Sequence, residues 1–316
     1  MITKENLERL SKNIYIIHAP TNIGILVTDN FLYIIDSGME DDTIKQICTL
    51  LEETFLQKKI KAVLNTHSHA DHSGGNYFLQ QNYQTEVWTS KTEGYLNEIP
   101  DVQSAIVWGA RPFKKLNTKF FHNEHKSTTT NFLSENNIIT LTNQNKLSVL
   151  RIYPKSIPGH YFEQYGFLIE DIEDNKKVFF TGDALYGRQT LKDFWIPFMF
   201  NIEQFKDSLA KIEETKADIF APSHGELYTK ENIHEIAEMN KILILEIETV
   251  ILKMLKQEHT AETLLKALAD YAGIKLSLGN LVLVQCTVKS YLSSLELRGL
   301  ISCSAKENKL IWKIKN

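Results

Sequence analysis

Short apolar runs separated by turn residues open the chain. The runs NIYIIHA, IGILVTD and FLYIIDSG are rich in β-branched and aromatic residues, and Pro and Asn residues interrupt them. This pattern predicts adjacent antiparallel strands. In DDTIKQICTLLEETF, the apolar residues Ile44, Ile47 and Leu51 recur at a helical period, which predicts an amphipathic helix. IKAVLNT is a further apolar run, and it predicts a buried strand.

The middle of the chain alternates between the two patterns. Between residues 87 and 130 the periodicity weakens, which predicts an irregular or partly helical excursion. Strand patterns resume in NNIITLT, KLSVLRIYP, YGFLIED and KKVFFTGD. An amphipathic helix with Phe205, Leu209 and Ile212 on one face follows, and then the apolar run ADIFAPSHG. Two successions of strands and helices indicate an α/β sandwich rather than a helical bundle.

The C-terminal part has a different pattern. ENIHEIAEMNKILILEIETVILKMLKQ predicts one long helix without any strand signal. Two further helices and two short strands around KEN are typical of a winged-helix module. We therefore predict two domains. Residues 1–235 form the larger one, and residues 236–316 form a C-terminal domain made of the long helix and the winged helix.

Composition narrows the class of protein. A chain of 316 residues is too long for one typical compact core, and its 43% apolar and 23% charged residues are near globular averages. The three cysteines are far apart and odd in number, which favours a reducing compartment over a disulfide framework. No apolar run has the length of a signal peptide or a membrane span. We expect a soluble cytoplasmic protein that does not bind membranes.

A dense cluster of histidines follows the predicted strand IKAVLNT. The segment VLNTHSHADHSGG contains His67, His69, Asp71 and His72, although the whole chain has only ten histidines. Side chains at positions i and i+2 of an extended segment point the same way, so His67 and His69 can converge on one ion. Asp71 and His72 can face a second ion as the chain turns. Imidazole and carboxylate groups are ligands for zinc, iron or manganese.

Three later residues stand at comparable positions. His160 lies in SIPGHYF, Asp183 lies in VFFTGDAL, and His224 lies in FAPSHGE. Each follows a strand-like run and has Gly or Pro nearby to tighten the turn. These residues are candidates to complete two metal sites.

The ordered set of motifs resembles the metallo-β-lactamase superfamily, whose pattern is HxHxDH followed by a distal His, Asp and His. The resemblance covers roughly residues 10 to 230 and implies a four-layer αββα sandwich. It implies a first metal site, a second site with a catalytic aspartate, and a bridging residue between them. The resemblance assigns the first site to His67, His69 and His160. It assigns the second site to Asp71, His72 and His224, with Asp71 as the catalytic aspartate. The bridging residue is Asp183.

Two more residues complete the predicted site. Asp36, which ends LYIIDSG, matches the strand-end aspartate that supports the ligand loop from behind in this superfamily. Tyr186 stands three residues after Asp183 and is a candidate to contact substrate, with core packing as the alternative.

The resemblance implies a metal-dependent hydrolase. We expect two divalent ions, zinc ahead of iron or manganese, and a metal-bridging hydroxide as nucleophile. The expected substrate is a small ester, thioester or lactone. An aspartate at position 183 and the lack of an export signal argue against a secreted antibiotic-degrading lactamase. The segments PGHYFEQYG and PSHG depart from the glyoxalase II-like thioesterases, which weighs against a glutathione thioester.

Two other activities stay open. One is a nuclease or phosphodiesterase acting on nucleic acid, because residues 241–316 carry eleven Lys and Arg against seven Asp and Glu. Four of these lysines lie on the predicted wing: Lys306, Lys309, Lys313 and Lys315. The predicted recognition helix is nevertheless rich in apolar residues, which favours packing against the large domain or a homodimer partner. The other activity is that of a mono-iron persulfide dioxygenase.

Overall fold

Two β-sheets form the centre of the computed structural model, which describes residues 2–39, 42–116, 118 and 121–315. The first sheet has the strand order β1 to β7. Strands β1–β4 form an antiparallel meander, and β4 to β7 are parallel neighbours. Its strands are β1 (Leu7–Arg9), β2 (Ile14–Ile17), β3 (Ile23–Val27), β4 (Phe31–Ile35), β5 (Lys59–Leu64), β6 (Glu86–Thr89) and β7 (Asn131–Phe132).

Among the described residues, five helices connect the parallel strands of this sheet. A helix with one apolar face crosses from β4 to β5, as its periodicity predicted. The stretch after β6, predicted to be irregular or partly helical, contains two of these helices. The five are α1 (Asp42–Thr54), α2 (Ala70–Ser73), α3 (Asn76–Tyr83), α4 (Lys91–Glu98) and α5 (Asp101–Trp108).

The second sheet contains the four strands predicted from NNIITLT to KKVFFTGD. Strands β8 to β11 are antiparallel neighbours, β11 and β12 are parallel, and β13 pairs with β12. The strands are β8 (Ile139–Thr142), β9 (Ser148–Ser156), β10 (Tyr165–Asp171), β11 (Lys176–Gly182), β12 (Ile219–Pro222) and β13 (Tyr228–Thr229). The crossover from β11 to β12 contains α6 (Arg188–Asp193) and α7 (Ile202–Glu214).

Apolar clusters on both faces of each sheet create four layers. Ile16 and Leu64 of the first sheet pack with Ile152 and Phe167 of the second, so the sheets lie face to face. The outer face of the first sheet packs on α1, and the outer face of the second packs on α7. The predicted αββα sandwich is confirmed, and it arises because each sheet must bury two apolar faces.

The C-terminal part consists of three helices and a hairpin. These are α8 (Ile233–Met254), α9 (Ala261–Ala272), α10 (Leu278–Leu297), β14 (Ile301–Lys306) and β15 (Lys309–Ile314). Their apolar side chains share one cluster with α7 and the second sheet, so the C-terminal helices pack against both. The boundary at residue 235 and the winged-helix assignment stay predictions. Within the described ranges, no helix is both long and apolar enough to cross a membrane.

Candidate metal centre

The predicted ligands lie at the ends of strands, where the two sheets open onto a common cavity. His67, His69, Asp71 and His72 lie in the loop and short helix that follow β5. His160 lies between β9 and β10, and Asp183 and His224 follow β11 and β12. Because these strand ends are neighbours, residues up to 157 positions apart in the chain come together.

His67, His69 and His160 form the first ligand group. His69 Nδ1 lies 2.9 Å from His67 Nε2 and 3.0 Å from His160 Nε2. A ring nitrogen has either one proton to donate or one lone pair to accept with, so His69 Nδ1 can form only one good hydrogen bond. Hydrogen bonding therefore does not account for both of these short distances. The arrangement is suited to a cation, because tetrahedral zinc with Zn–N bonds of about 2.0–2.1 Å holds its ligand nitrogens roughly 3.3 Å apart.

Asp71, His72 and His224 form the second ligand group. Asp71 Oδ2 lies 3.3 Å from His224 Nε2 and 3.5 Å from His72 Nε2. The other ring nitrogens are occupied by protein acceptors. His224 Nδ1 donates to the carbonyl of Pro20 at 2.7 Å, and His72 Nδ1 donates to Asp36 at 2.9 Å. Both Nε2 atoms are thereby directed toward the centre.

Asp183 lies between the two groups. Its Oδ2 is 3.4 Å from His160 Nε2 in the first group and 3.6 Å from both His72 Nε2 and His224 Nε2 in the second. Among the described residues, Asp183 Oδ1 and His72 Nε2 find no hydrogen-bond partner, although both are buried. An unsatisfied buried polar atom costs about 1–3 kcal/mol. A divalent cation at the second group would satisfy His72 Nε2, and Asp183 Oδ2 faces both groups, so the residues fit such ions.

The two groups differ in their preferred protonation. Burial lowers the pKa of His69 to about 3 and that of His160 to about 4, so both rings are neutral and offer lone pairs. Burial also acts to lower the pKa of His72, but Asp71 and Asp183 outweigh it and hold that pKa well above its usual value. Without a cation the second group therefore retains protons, which a metal would replace.

Asp36 directly follows β4 and contacts the loop that carries the candidate ligands. Its carboxylate accepts hydrogen bonds from Thr66 N at 2.8 Å, Thr66 Oγ1 at 2.9 Å and His72 Nδ1 at 2.9 Å. Asp36 has a φ of 60°, a left-handed conformation that Asp and Asn tolerate better than most residues. The supporting role of Asp36 in a metal centre stays a prediction, whereas its contacts with Thr66 and His72 are direct.

Tyr186 lies behind His160. The Tyr186 hydroxyl donates to the carbonyl of Phe198 and is 3.0 Å from His160 Nδ1. The Tyr186 ring stacks on Phe205 at 5.2 Å, and neither residue is among the described residues that line the cavity. Contact between Tyr186 and substrate therefore stays a prediction, whereas its contact with His160 is direct.

The C-terminal helices hold the segment that carries these groups. Asn240 of α8 donates to the carbonyl of Tyr186 and accepts from its amide, at 2.9 and 3.1 Å. Thr287 of α10 accepts from the amide of Met199 at 3.1 Å. Two C-terminal helices thus fix the backbone on either side of the contacts to His160.

A cavity of about 310 Å³ opens above the ligand groups. Five apolar side chains from different parts of the chain line its walls, and one of them comes from α10. These are Met39, Val107, Phe121, Phe198 and Leu283. Among the described residues that line the cavity, none is a lysine or an arginine.

Two polar residues near the candidate ligands were not recognised as functional candidates from the sequence. Glu93 of α4 accepts from the amide and hydroxyl of Ser68, and Gln103 of α5 donates to the carbonyl of Ser68 at 2.6 Å. Burial raises the pKa of Glu93 to about 7, although its hydrogen bonds act in the opposite direction. Both residues lie in the excursion after β6, where no local pattern marked a functional position.

Comparisons with known proteins agree with this geometry. The chain is 28% identical over 115 residues to a metallo-beta-lactamase type 2 of Bacillus cereus, covering 31% of the chain and 44% of that protein. It is 32% identical over 155 residues to the hydroxyacylglutathione hydrolase GloC of Haemophilus influenzae, covering 48% of the chain and 60% of that protein. The chain thus spans about half the length of the curated relatives it matches.

Solved structures share the fold at low sequence identity. A metallo-beta-lactamase family protein from Thermus thermophilus superposes with a TM-score of 0.75 at 16% identity, covering 97% of this chain and all of that one. A beta-lactamase domain protein from Burkholderia ambifaria gives 0.71 at 14% identity, covering 98% and 93%. The sequence profile of the Metallo-beta-lactamase superfamily matches residues 17–224, a range that contains every candidate ligand. The chain belongs to the metallo-beta-lactamase superfamily.

Proposed function

We propose that the protein is a hydrolase that uses two divalent metal ions to cleave a small ester, thioester or lactone with an apolar acyl group. The observation that carries this proposal is the position of Asp183 Oδ2, which faces both ligand groups at the floor of an apolar cavity. The first group would hold one ion and the second group the other, with Asp183 contacting both. Zinc is the expected metal, with iron or manganese as alternatives.

When bound, the ions supply a water activated for attack and polarise the scissile carbonyl. The chain supplies the arrangement around them. Asp71 lines the cavity, and its Oδ2 lies at the edge of the second ligand group. From this position the carboxylate can accept a proton from the attacking water. Pro20 and Asp36 keep the Nδ1 atoms of His224 and His72 occupied, which leaves both Nε2 atoms as ligands.

The apolar side chains of the cavity wall favour a substrate with an apolar acyl group. A wall of Val107, Phe198 and Leu283 stabilises an apolar acyl chain by excluding water from it. A phosphodiester chain or a substrate with several carboxylates is usually bound by lysine or arginine side chains, and the described lining residues include neither. The relative GloC supports thioesters as one class, since its name describes it as a hydroxyacylglutathione hydrolase.

Metal analysis and a substrate panel test the proposal. Protein purified without added metal should contain about two equivalents of zinc, iron or manganese, as a two-metal site requires. The panel should include thioesters, lactones, carboxylic esters and phosphodiesters, with Asp71→Asn as the inactive variant. Asp193→Asn is the matched control, because Asp193 lies on α6 and its carboxylate accepts a hydrogen bond from Gln189, away from the ligand groups. Hydrolysis of phosphodiesters alone, or one iron with oxygen consumption, would contradict the proposal.

A second pair of variants tests the apolar wall. Leu283→Lys places a cation in the cavity, and we expect kcat/KM for apolar acyl substrates to fall at least tenfold, since a hydrophobic pocket contact contributes about 1–3 kcal/mol. Leu281→Lys lies on the same helix but outside the lining, and it should have little effect. Metal content should be unchanged in both. Equal activity of the two variants would show that α10 does not form the substrate wall.

A further inference from the structure

Glu93 is a buried carboxyl group that the proposed chemistry does not use. It lies in the first turn of α4 and has no exposed surface. Within the described part of the chain, no lysine or arginine forms an ion pair with it. Buried acidic groups are normally paired with a cation or otherwise fully hydrogen-bonded. What Glu93 contacts therefore indicates why a carboxyl group stands there.

Three donors from two different loops meet the Glu93 carboxylate. Oε2 accepts from Ser68 N at 3.0 Å and from Ser68 Oγ at 2.7 Å. Oε1 accepts from Glu163 N at 2.8 Å. Each oxygen thus holds one loop, and a glutamine, with a single acceptor oxygen, cannot hold both.

Both loops carry members of the first ligand group. Ser68 stands between His67 and His69, and Glu163 stands three residues after His160. The two loops meet where His160 Nε2 lies 3.0 Å from His69 Nδ1. The separation of these loops sets the separation of the ligand nitrogens, and the carboxylate of Glu93 spans the two loops.

We propose that Glu93 is a positioning residue of the metal centre, which holds the two loops of the first ligand group at ligating distance through its two carboxylate oxygens. This inference rests on the proposed function, since it requires that the first ligand group binds an ion. Glu93 is not a ligand itself, because Ser68 and the Glu163 amide occupy both of its oxygens. Its effect is on the geometry of the ligands.

The test is cobalt binding by the full-length chain. Co²⁺ is titrated into metal-free protein in competition with a chelator, and the visible absorption of the bound ion is recorded as a measure of its ligand geometry. In Glu93→Gln, the amide nitrogen must face at least one N–H donor, so one loop is released. We expect one of the two ions to bind about 10–100-fold more weakly, the usual range for residues that orient ligands, with an altered cobalt spectrum.

Glu98→Gln is the matched control. Glu98 lies on the same helix and accepts one hydrogen bond, from Thr129 N at 3.4 Å, away from the ligand loops. It should bind cobalt as the wild type does. Ser68→Ala is a second probe, because it removes one of the three donors and keeps the backbone amide. It should shift the affinity and the spectrum in the same direction as Glu93→Gln, but less.

The outcomes separate this inference from the function on which it rests. If the wild type binds no divalent ion, the proposed function fails and the role of Glu93 fails with it. If the wild type binds cobalt and a folded Glu93→Gln binds it with the same affinity and spectrum, only the role of Glu93 is overturned. If Glu93→Gln does not fold, Ser68→Ala decides: a weaker affinity with an altered spectrum supports the role, and wild-type binding overturns it.

Discussion

Replacement of Asp36 by asparagine is expected to weaken the second ligand group while preserving its shape. Asparagine has nearly the same size and tolerates the left-handed backbone at this position, where φ is 60°. Its carbonyl oxygen can still accept from Thr66 N. Its amide nitrogen, however, replaces the oxygen to which His72 Nδ1 donates. Two donors would then face each other.

The conflict has a defined consequence for His72. The ring can relieve it by moving its proton from Nδ1 to Nε2, and Nε2 is the atom directed at Asp71 and Asp183. A protonated Nε2 cannot act as a ligand. Loss of such orienting contacts typically lowers metal affinity 10–100-fold, which corresponds to about 1.4–2.8 kcal/mol. The lost hydrogen bonds to a charged acceptor should also lower the free energy of unfolding of the metal-free protein, by about 1.5–3 kcal/mol.

Zinc titration against a chromophoric chelator measures the affinities of the two ions separately. Thermal or urea unfolding of the metal-free protein measures stability. Asp171→Asn is the matched control, because Asp171 is also fully buried at a strand end and accepts from Ser11 Oγ at 2.6 Å and Asn13 N at 2.8 Å. It should lose stability and keep both zinc affinities. If Asp36→Asn also keeps both, the conclusion that Asp36 sets the tautomer of His72 is wrong.

Two further substitutions and one chemical modification test other parts of the structure. Asp183→Ala should lower the occupancy of both metal sites, measured by elemental analysis, and retention of two ions would contradict the bridging position. Thr287→Val removes the α10 hydroxyl behind the first ligand group and should lower the melting temperature and the metal affinity, whereas Thr249→Val, whose hydroxyl bonds only its own helix, should change neither. Burial raises the pKa of Cys48 to about 12, so its reactive thiolate is scarce until the pH approaches that value. A thiol reagent at neutral pH should therefore modify the exposed Cys303 first, and peptide mapping that finds Cys48 modified equally fast in the folded protein would contradict its burial.

The sequence by itself determined which segments form strands and helices, and the positions of the candidate ligands. Both depend on short-range rules. The period of apolar residues distinguishes strand from helix, and a strand end directs the next few side chains into a loop. His67 and His69 are two positions apart, and Asp183 directly follows β11, so each could be recognised from its neighbours alone. Their grouping followed from resemblance to a known family rather than from spacing.

Only the tertiary structure determined which residues hold the ligand loops in place and which residues form the cavity wall. Glu93 acts on partners 25 and 70 positions away, and no local pattern distinguishes it from a solvent-exposed glutamate on a helix. Leu283 reaches the cavity because α10 packs on the segment around Met199, which is a consequence of shared apolar burial between distant helices. Apolar burial is non-directional, so a sequence pattern specifies which face of a helix is buried but not which surface covers it. The candidate ligands could therefore be recognised in the sequence, whereas the residues that surround them could be identified only in the folded chain.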